Sequence, residues 1–341
     1  MSELRKDPVM GRWVIISERR SQRPDQFADA FPTVCPLKQP DCPFCAGNEE
    51  RVPPPIAEIL SPEGWSCRAL PAASPILRQE SRFEEHRLGM FHIAAGVGAH
   101  EIIVEGGRHG RSLADLPLQQ VADVVLLWER RLTELGKDDR FKHLMLFKNH
   151  GPTAGEGTYR HPHSQIIALP VTPARVKDKL DGAKEYFSQT GRCVFCAILE
   201  RESREKERIL WENDHCVVLT PYASRFPFEL WIVPKTHRAD FPGTPEPVLR
   251  GLAEALKRTL ARLSRLLHDP PYNFILHSAP LRRPREGFPD YWDTLDRDYH
   301  WHLELIPRLT RVAGFEWGTG FYINPVSPEG ATRALQETAD G

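Results

Sequence analysis

The chain has 341 residues, enough for one large domain or two of ordinary size. Its 45 Lys and Arg against 46 Asp and Glu leave a net charge of −1, which excludes bulk attraction to nucleic acid or to an anionic membrane and points to a small-molecule partner. No apolar run approaches bilayer length and the stretch from Met1 to Trp13 lacks the apolar core of a secretion signal, so a soluble, cytoplasmic protein is expected. In chain order, a strand is predicted at Trp13 to Ser17. Pro-rich stretches at Pro32 to Pro43 and Pro53 to Pro75 then predict loops around short strands. After a strand at Glu101 to Glu105, Leu118, Val121, Val125, Trp128, Leu132 and Leu135 recur at helical spacing, with Gly136 as a stop. Strands follow at Leu144 to Phe147, His163 to Leu169, Cys216 to Leu219 and Glu229 to Val233. A second helix runs through Leu249, Leu252, Leu256, Leu260, Leu263 and Leu267, and strands at Asn273 to His277 and His300 to Ile306 complete the set.

The seven cysteines comprise two Cys-x-x-Cys pairs, Cys42/Cys45 and Cys193/Cys196, and three singles, Cys35, Cys67 and Cys216. An odd count with close pairs fits metal ligation better than a disulfide framework. The order of unlike elements occurs twice: a Cys-x-x-Cys pair, a strand running into a histidine (His109, then His237), a long helix, a strand, and a His-x-His motif. The first copy ends in His161-Pro162-His163-Ser164-Gln165 and the second in His300-Trp301-His302-Leu303-Glu304. This repeat predicts an α+β protein of two related halves, 1–187 and 188–341, each an antiparallel sheet with a long helix, joined near Phe187 to Gly191.

The segment from Asn149 to Arg160 holds three glycines and two threonines, a loop whose backbone amides suit close approach to phosphate oxygens. In the strand that follows, side chains alternate with period two, so His161, His163 and Gln165 share one face and Pro162 points to the other. A neutral imidazole is a competent nucleophile near neutral pH when a neighbour fixes its tautomer, which makes His163 the candidate. Gln165 can donate an amide N–H to a non-bridging phosphate oxygen without adding a proton to the reaction.

His-Pro-His-x-Gln after an Asn-x-Gly loop, with Glu3-Leu4-Arg5-x-Asp7-Pro8-x-x-x-Arg12-Trp13-Val14-Ile15 at the start, resembles the galactose-1-phosphate uridylyltransferase branch of the histidine-triad superfamily. The resemblance extends through Gly314-Phe315-Glu316-Trp317-Gly318-Thr319-Gly320 and is strongest to members with Cys-x-x-Cys in both halves, one of them a plant ADP-glucose phosphorylase. It implies two histidine-triad-like halves and a nucleotidylyltransferase working by ping-pong through a nucleotidyl-histidine, of the UDP-glucose–hexose-1-phosphate type. Its partners would be a nucleotide sugar and a sugar 1-phosphate or phosphate, in a homodimer. The nucleophile falls on His163, the phosphate-binding glutamine on Gln165, the phosphate-loop residues on Asn149 and Thr158, the two substrate arginines on Arg20 and Arg23, and a sugar-contacting glutamate on Glu316. Two zinc ions per chain are implied, the first held by Cys42, Cys45, His109 and His161, the second by Cys193, Cys196, His237 and His300.

Two departures from the family stand out. Where relatives read Pro-Asn-x-Tyr-Pro-Ala near the nucleotide, this chain reads Pro71-Ala72-Ala73-Ser74-Pro75-Ile76. Lys177 stands near the family's iron-binding glutamate, so zinc rather than that iron is expected in the second half. Other enzyme readings of the same nucleophile are an ADP-glucose phosphorylase or a dinucleoside-polyphosphate phosphorylase. A zinc-ribbon interaction module is the non-enzyme alternative, and the long span from Cys45 to His109 argues against it. His302 and Glu304 are expected to be a vestige of the repeat.

Overall fold

The computed structural model describes residues 2–18, 39–62, 64–80, 82, 84–157, 160–284 and 290–338. Arg20, Arg23, Cys35 and Thr158 therefore lie outside the described residues. The N-terminal half begins with β1 (Glu3–Lys6), β2 (Trp13–Ile16), β3 (Ala57–Ser61) and β4 (Gly64–Pro71). A hairpin of β5 (Glu85–Leu88) and β6 (Phe91–Ala94) precedes β7 (Ala99–Val104), α1 (Leu118–Leu135), β8 (His143–His150) and β9 (His163–Leu169). After α2 (Ala174–Thr190), the C-terminal half runs α3 (Val194–Glu205), β10 (Ile209–Glu212), β11 (Cys216–Leu219), β12 (Leu230–Pro234), α4 (Glu246–Leu267), β13 (Tyr272–His277) and β14 (His302–Pro307). It ends in β15 (Tyr322–Asn324) and α5 (Pro328–Glu337).

Ten of these strands form one antiparallel sheet in the order β10-β11-β12-β14-β13-β8-β9-β7-β4-β3. The order is symmetric about its centre: β3, β4, β7, β9 and β8 of one half mirror β10, β11, β12, β14 and β13 of the other. The two halves join edge to edge at β8 and β13, where Asn149 faces Asn273 and Phe147 faces Ile275. The α+β class and the repeat thus hold, with the two expected sheets merged into one.

The long helices cover one face of this sheet. In α1 the buried residues Val121, Val125, Trp128, Leu132 and Leu135 recur every three or four positions, and Gly136 ends the helix by donating its N–H to the carbonyl of Leu132. In α4 the same spacing buries Leu249, Leu252, Leu256, Leu260, Leu263 and Leu267. Trp128 on α1 meets Phe274 on β13 edge to face, 5.5 Å between ring centroids, so the core crosses the join between halves. The expected junction near Phe187 to Gly191 falls on the end of α2, which Gly191 closes in the left-handed conformation at φ 70°. Inside α2, Gly182 lets the carbonyl of Val9 approach so closely that any Cβ would lie 1.8 Å from its oxygen. This contact seats the N-terminal turn on the helix. No helix among the described residues is long and apolar enough to cross a membrane.

Candidate active site and metal centres

His163 opens β9 and is only partly buried, and its Nδ1 donates to the carbonyl oxygen of His161 at 2.7 Å. That bond fixes the tautomer, so the lone pair resides on Nε2. Burial, followed by the positive charge of Lys148, lowers its pKa below the ordinary histidine value. Lys148 is itself buried in a pair with Glu105 at 2.6 Å and donates to the carbonyl of His163 at 3.0 Å. From the helix side, Trp128 donates to the hydroxyl of Ser164 at 2.8 Å, which anchors the strand between His163 and Gln165. Gln165 shares the face of His163, and its Oε1 accepts from Nε2 of His100 on β7 at 2.9 Å.

Next to this strand lies the first Cys2His2 group. Cys42, Cys45, His109 and His161 are all buried, and their ligand atoms lie within 4.8 Å of one another. Nδ1 of His161 is 3.5 Å from Sγ of Cys42 and 3.7 Å from Sγ of Cys45, and Nδ1 of His109 is 3.6 Å from Cys45. A tetrahedral ion with bonds of ~2.3 Å to sulfur and ~2.1 Å to nitrogen requires S···N edges of about 3.6 Å. The donor set therefore fits such an ion. Nε2 of His161 donates to the carbonyl of Gly106 at 2.6 Å, which turns Nδ1 toward the thiols.

Cys193, Cys196, His237 and His300 repeat the group in the second half. Sγ of Cys196 is 3.3 Å from Nδ1 of His237 and 3.7 Å from Nδ1 of His300. Nε2 of His237 donates to the carbonyl of Asp296 at 2.9 Å. The two imidazoles cross at 71° in this group and at 74° in the first, so each group could hold a metal ion in the same way.

The second His-x-His strand is built alike and ends differently. Nδ1 of His302 donates to the carbonyl of His300 at 3.0 Å, as His163 does to His161. Here, however, Nε2 accepts from Lys179 at 3.0 Å, and the ring has no exposed surface and stacks on His277. Glu304, the counterpart of Gln165, is held by Arg225 and by Nε2 of His277. With its lone pair occupied and its face covered, His302 cannot attack a substrate.

On the face of the sheet away from the long helices, a groove of about 1000 Å³ runs across the join. Phe147, Asn149, Asn273 and Ile275 lie along it, with Arg225, Arg308, Arg311 and Trp317 also in its lining. Phe147 lies directly across from Gln165, so the groove passes beside the His163 strand.

The galactose-1-phosphate uridyl transferase N-terminal domain model matches residues 1–173, and the model of its C-terminal domain matches residues 179–319. The chain belongs to the galactose-1-phosphate uridylyltransferase family. It is 34% identical to an ADP-glucose phosphorylase of Arabidopsis thaliana over 99% of this chain and 93% of that protein. It is 29% identical to a galactose-1-phosphate uridylyltransferase of Thermotoga maritima over 99% of each. Among solved structures, the Arabidopsis ADP-glucose phosphorylase with bound ADP-glucose matches at a TM-score of 0.82 and 33% identity, covering 100% of both chains. A uridylyltransferase matches at 0.74 and 27% identity, covering 99% of this chain and 98% of that one.

Several of the residues expected at the site take particular places in the structure. Asn149 donates to the carbonyl of Gly155 at 3.2 Å and accepts from Asn273 at 2.8 Å, so it braces the glycine loop. Gly151 and Gly155 take φ of 82° and 87°, which the turn requires. The expected cradle of free amides is smaller than the glycine count implies: the amide of Gly151 is held by the carboxylate of Glu156, and those of Ala154, Gly155 and Glu156 bond within the loop. Glu316 caps its own short helix, accepting from the amide of Ala313 at 3.0 Å. Lys177 is exposed on α2, whereas Lys179, two residues further along, faces inward to His302. His100 on β7, Lys148 on β8 and Glu105 just after β7 reach the site from the strands either side of β9, so no spacing along the chain marks them.

Proposed function

We propose that this chain transfers a nucleoside monophosphate from a nucleotide sugar to a hexose 1-phosphate through a nucleotidyl-histidine at His163, with UDP-glucose and galactose 1-phosphate as the substrate pair. The observation that carries this reading is the 2.7 Å bond from His163 Nδ1 to the His161 carbonyl, which leaves Nε2 free to attack. In the first step Nε2 forms a bond to the α-phosphorus while the bond from phosphorus to the sugar-phosphate oxygen breaks, releasing hexose 1-phosphate. In the second step the phosphate oxygen of the incoming acceptor displaces His163. Splitting the exchange means that only one anionic partner need occupy the site at a time. Gln165 donates to a non-bridging oxygen as charge develops there. Asn149 positions the loop, with Thr158, Arg20, Arg23 and Glu316 as further substrate contacts.

The metal in each Cys2His2 group is zinc, two per chain, and its role is to fix the ligand-bearing segments. Protein ligands fill all four positions of each tetrahedron, so neither ion has an open site for substrate. Assembly as a homodimer belongs to the same reading. A second substrate pair, ADP-glucose with inorganic phosphate, is favoured by a specific observation: the Arabidopsis relative with that activity in its name aligns over 99% of this chain. Ala72 also stands where the uridylyltransferase pattern has asparagine.

The test is a panel of UDP-glucose and ADP-glucose, each with galactose 1-phosphate or inorganic phosphate. Enzyme incubated with nucleotide sugar alone is quenched at alkaline pH, where a phosphoramidate survives, and the added nucleotide is mapped by peptide mass spectrometry. His163→Gly is expected to abolish turnover and keep its metal, whereas His161→Ala loses both. A label on another residue, or sequential kinetics with no label, overturns the assignment.

A further inference from the structure

We propose that His100 is a positioning residue that selects which end of the Gln165 amide faces the reacting phosphate, an inference that rests on the role given to Gln165 above. Strand β7 lies beside β9, with Ile102 opposite Gln165 and His100 opposite Ile167. His100 and Gln165 are therefore diagonal neighbours on the same face of the sheet, within reach for long side chains. The 2.9 Å contact joins Nε2 of His100 to Oε1 of Gln165.

A primary amide has two ends of nearly equal size and opposite chemistry. Turned one way it offers N–H donors to a phosphate oxygen; turned the other it offers a carbonyl that repels it. Shape alone does not choose between them. A donor aimed at the carbonyl does, because once Oε1 is bonded to His100 the NH2 group is left for the ligand. Nδ1 of His100 is buried and has no hydrogen-bond partner among the described residues, so the bond to Gln165 is what orients the ring. In the second half a histidine also bonds the third side chain, but from the other neighbouring strand: His277 on β13, the counterpart of β8 rather than of β7, lies diagonal to Glu304 and bonds one of its oxygens at 2.9 Å. In each half an imidazole on an adjacent strand thus secures the third side chain of the His-x-His-x-Gln or His-x-His-x-Glu motif.

The experiment compares His100→Leu, which removes the donor, with His100→Gln, which keeps an N–H, each in the native chain and in a Gln165→Ala background. Metal content, kcat, KM and the rate of nucleotidyl-His163 formation from nucleotide sugar alone are measured. His100→Leu is expected to slow nucleotidyl-enzyme formation and kcat by ~10- to 100-fold with KM changed less than ~3-fold, since loss of one oriented donor acts mainly on the transition state. His100→Gln should recover to within roughly 5-fold, and His100→Leu should cause no further loss once Gln165 is gone. An equal loss in the Gln165→Ala background, no recovery with glutamine, or loss of metal in His100→Leu overturns the proposal. Nucleotide mapped to a residue other than His163 instead overturns the reading of the site, whatever the His100 variants do.

Discussion

In the proposed reaction His163 has to be neutral to attack phosphorus, and its surroundings favour that state. Burial disfavours the imidazolium, and the Lys148 ammonium, fixed between Glu105 and the His163 carbonyl, disfavours it further. The sign follows: a pKa below the ordinary ~6.5 keeps the lone pair available at lower pH than for a free histidine. The acidic limb of kcat/KM should therefore fall below pH ~6.5, the unperturbed value. Replacing Lys148→Met together with Glu105→Leu removes the ammonium without leaving a buried charge alone, and should move that limb to higher pH. A limb that stays in place in the double variant would show that Lys148 does not set this titration. The comparison also separates what was legible in the sequence from what was not. His161, His163 and Gln165 stand in one contiguous motif, so alternation along a strand was enough to place them together. Lys148 comes from β8, His100 from β7 and Glu105 from the residue just after it, and only the pairing of β9 with its neighbours brings them in. No spacing within the chain encodes that pairing.

The elements found from sequence are those whose buried face is mainly apolar. Strands β9 and β11 have the expected bounds, and α1 runs from Leu118 to Leu135 as its periodicity predicts. The second helix has an unbroken leucine stripe and begins one turn earlier than its first leucine. Helix α2 went unseen because its inner face mixes Val176, Leu180 and Ala183 with Lys179, the lysine that bonds His302. Helix α3 was hidden differently: its start is the Cys193 to Cys196 clip, which reads as a ligand motif rather than a helix cap. That position allows a clean test of the second metal group. Serine is a good residue at a helix N-cap, so Cys193→Ser preserves the local start of α3 and removes only the thiolate. Metal content should drop from two equivalents to one, because a Cys2His2 site holds its ion with ~10 kcal/mol or more of binding free energy that depends on the full set. Amide exchange should quicken around His237 and His300, while kcat falls less than in Cys42→Ser, whose Cys2His2 group includes His161 next to the strand of His163. Two equivalents of metal retained in Cys193→Ser would refute the ligand set.

At the scale of the whole molecule the two halves repeat each other but do not stand apart. Strands β8 and β13 pair over five residue positions in the middle of the sheet, so separating the halves would expose two long strand edges at once. Behind the sheet, Trp128 of one half packs on Phe274 of the other. Lys257 of α4 donates to the carbonyl of Ala114 at 2.7 Å, and the amide of Gly243 donates to Glu129 of α1 at 2.8 Å. The groove depends on the same join, since Asn149 and Asn273 come from opposite halves and bond across it. Contacts of this kind couple the halves into one folding unit although each carries its own metal group. With metal bound, denaturant unfolding should give a single transition that coincides for secondary-structure and tryptophan signals. Residues 1–187 expressed alone should aggregate, because β8 would then be an uncovered edge flanked by the bare apolar side of α1. A soluble 1–187 fragment with its metal bound and native-like strand signals, or two separated transitions in the full chain, would mean that the join contributes little and that each half closes its own core.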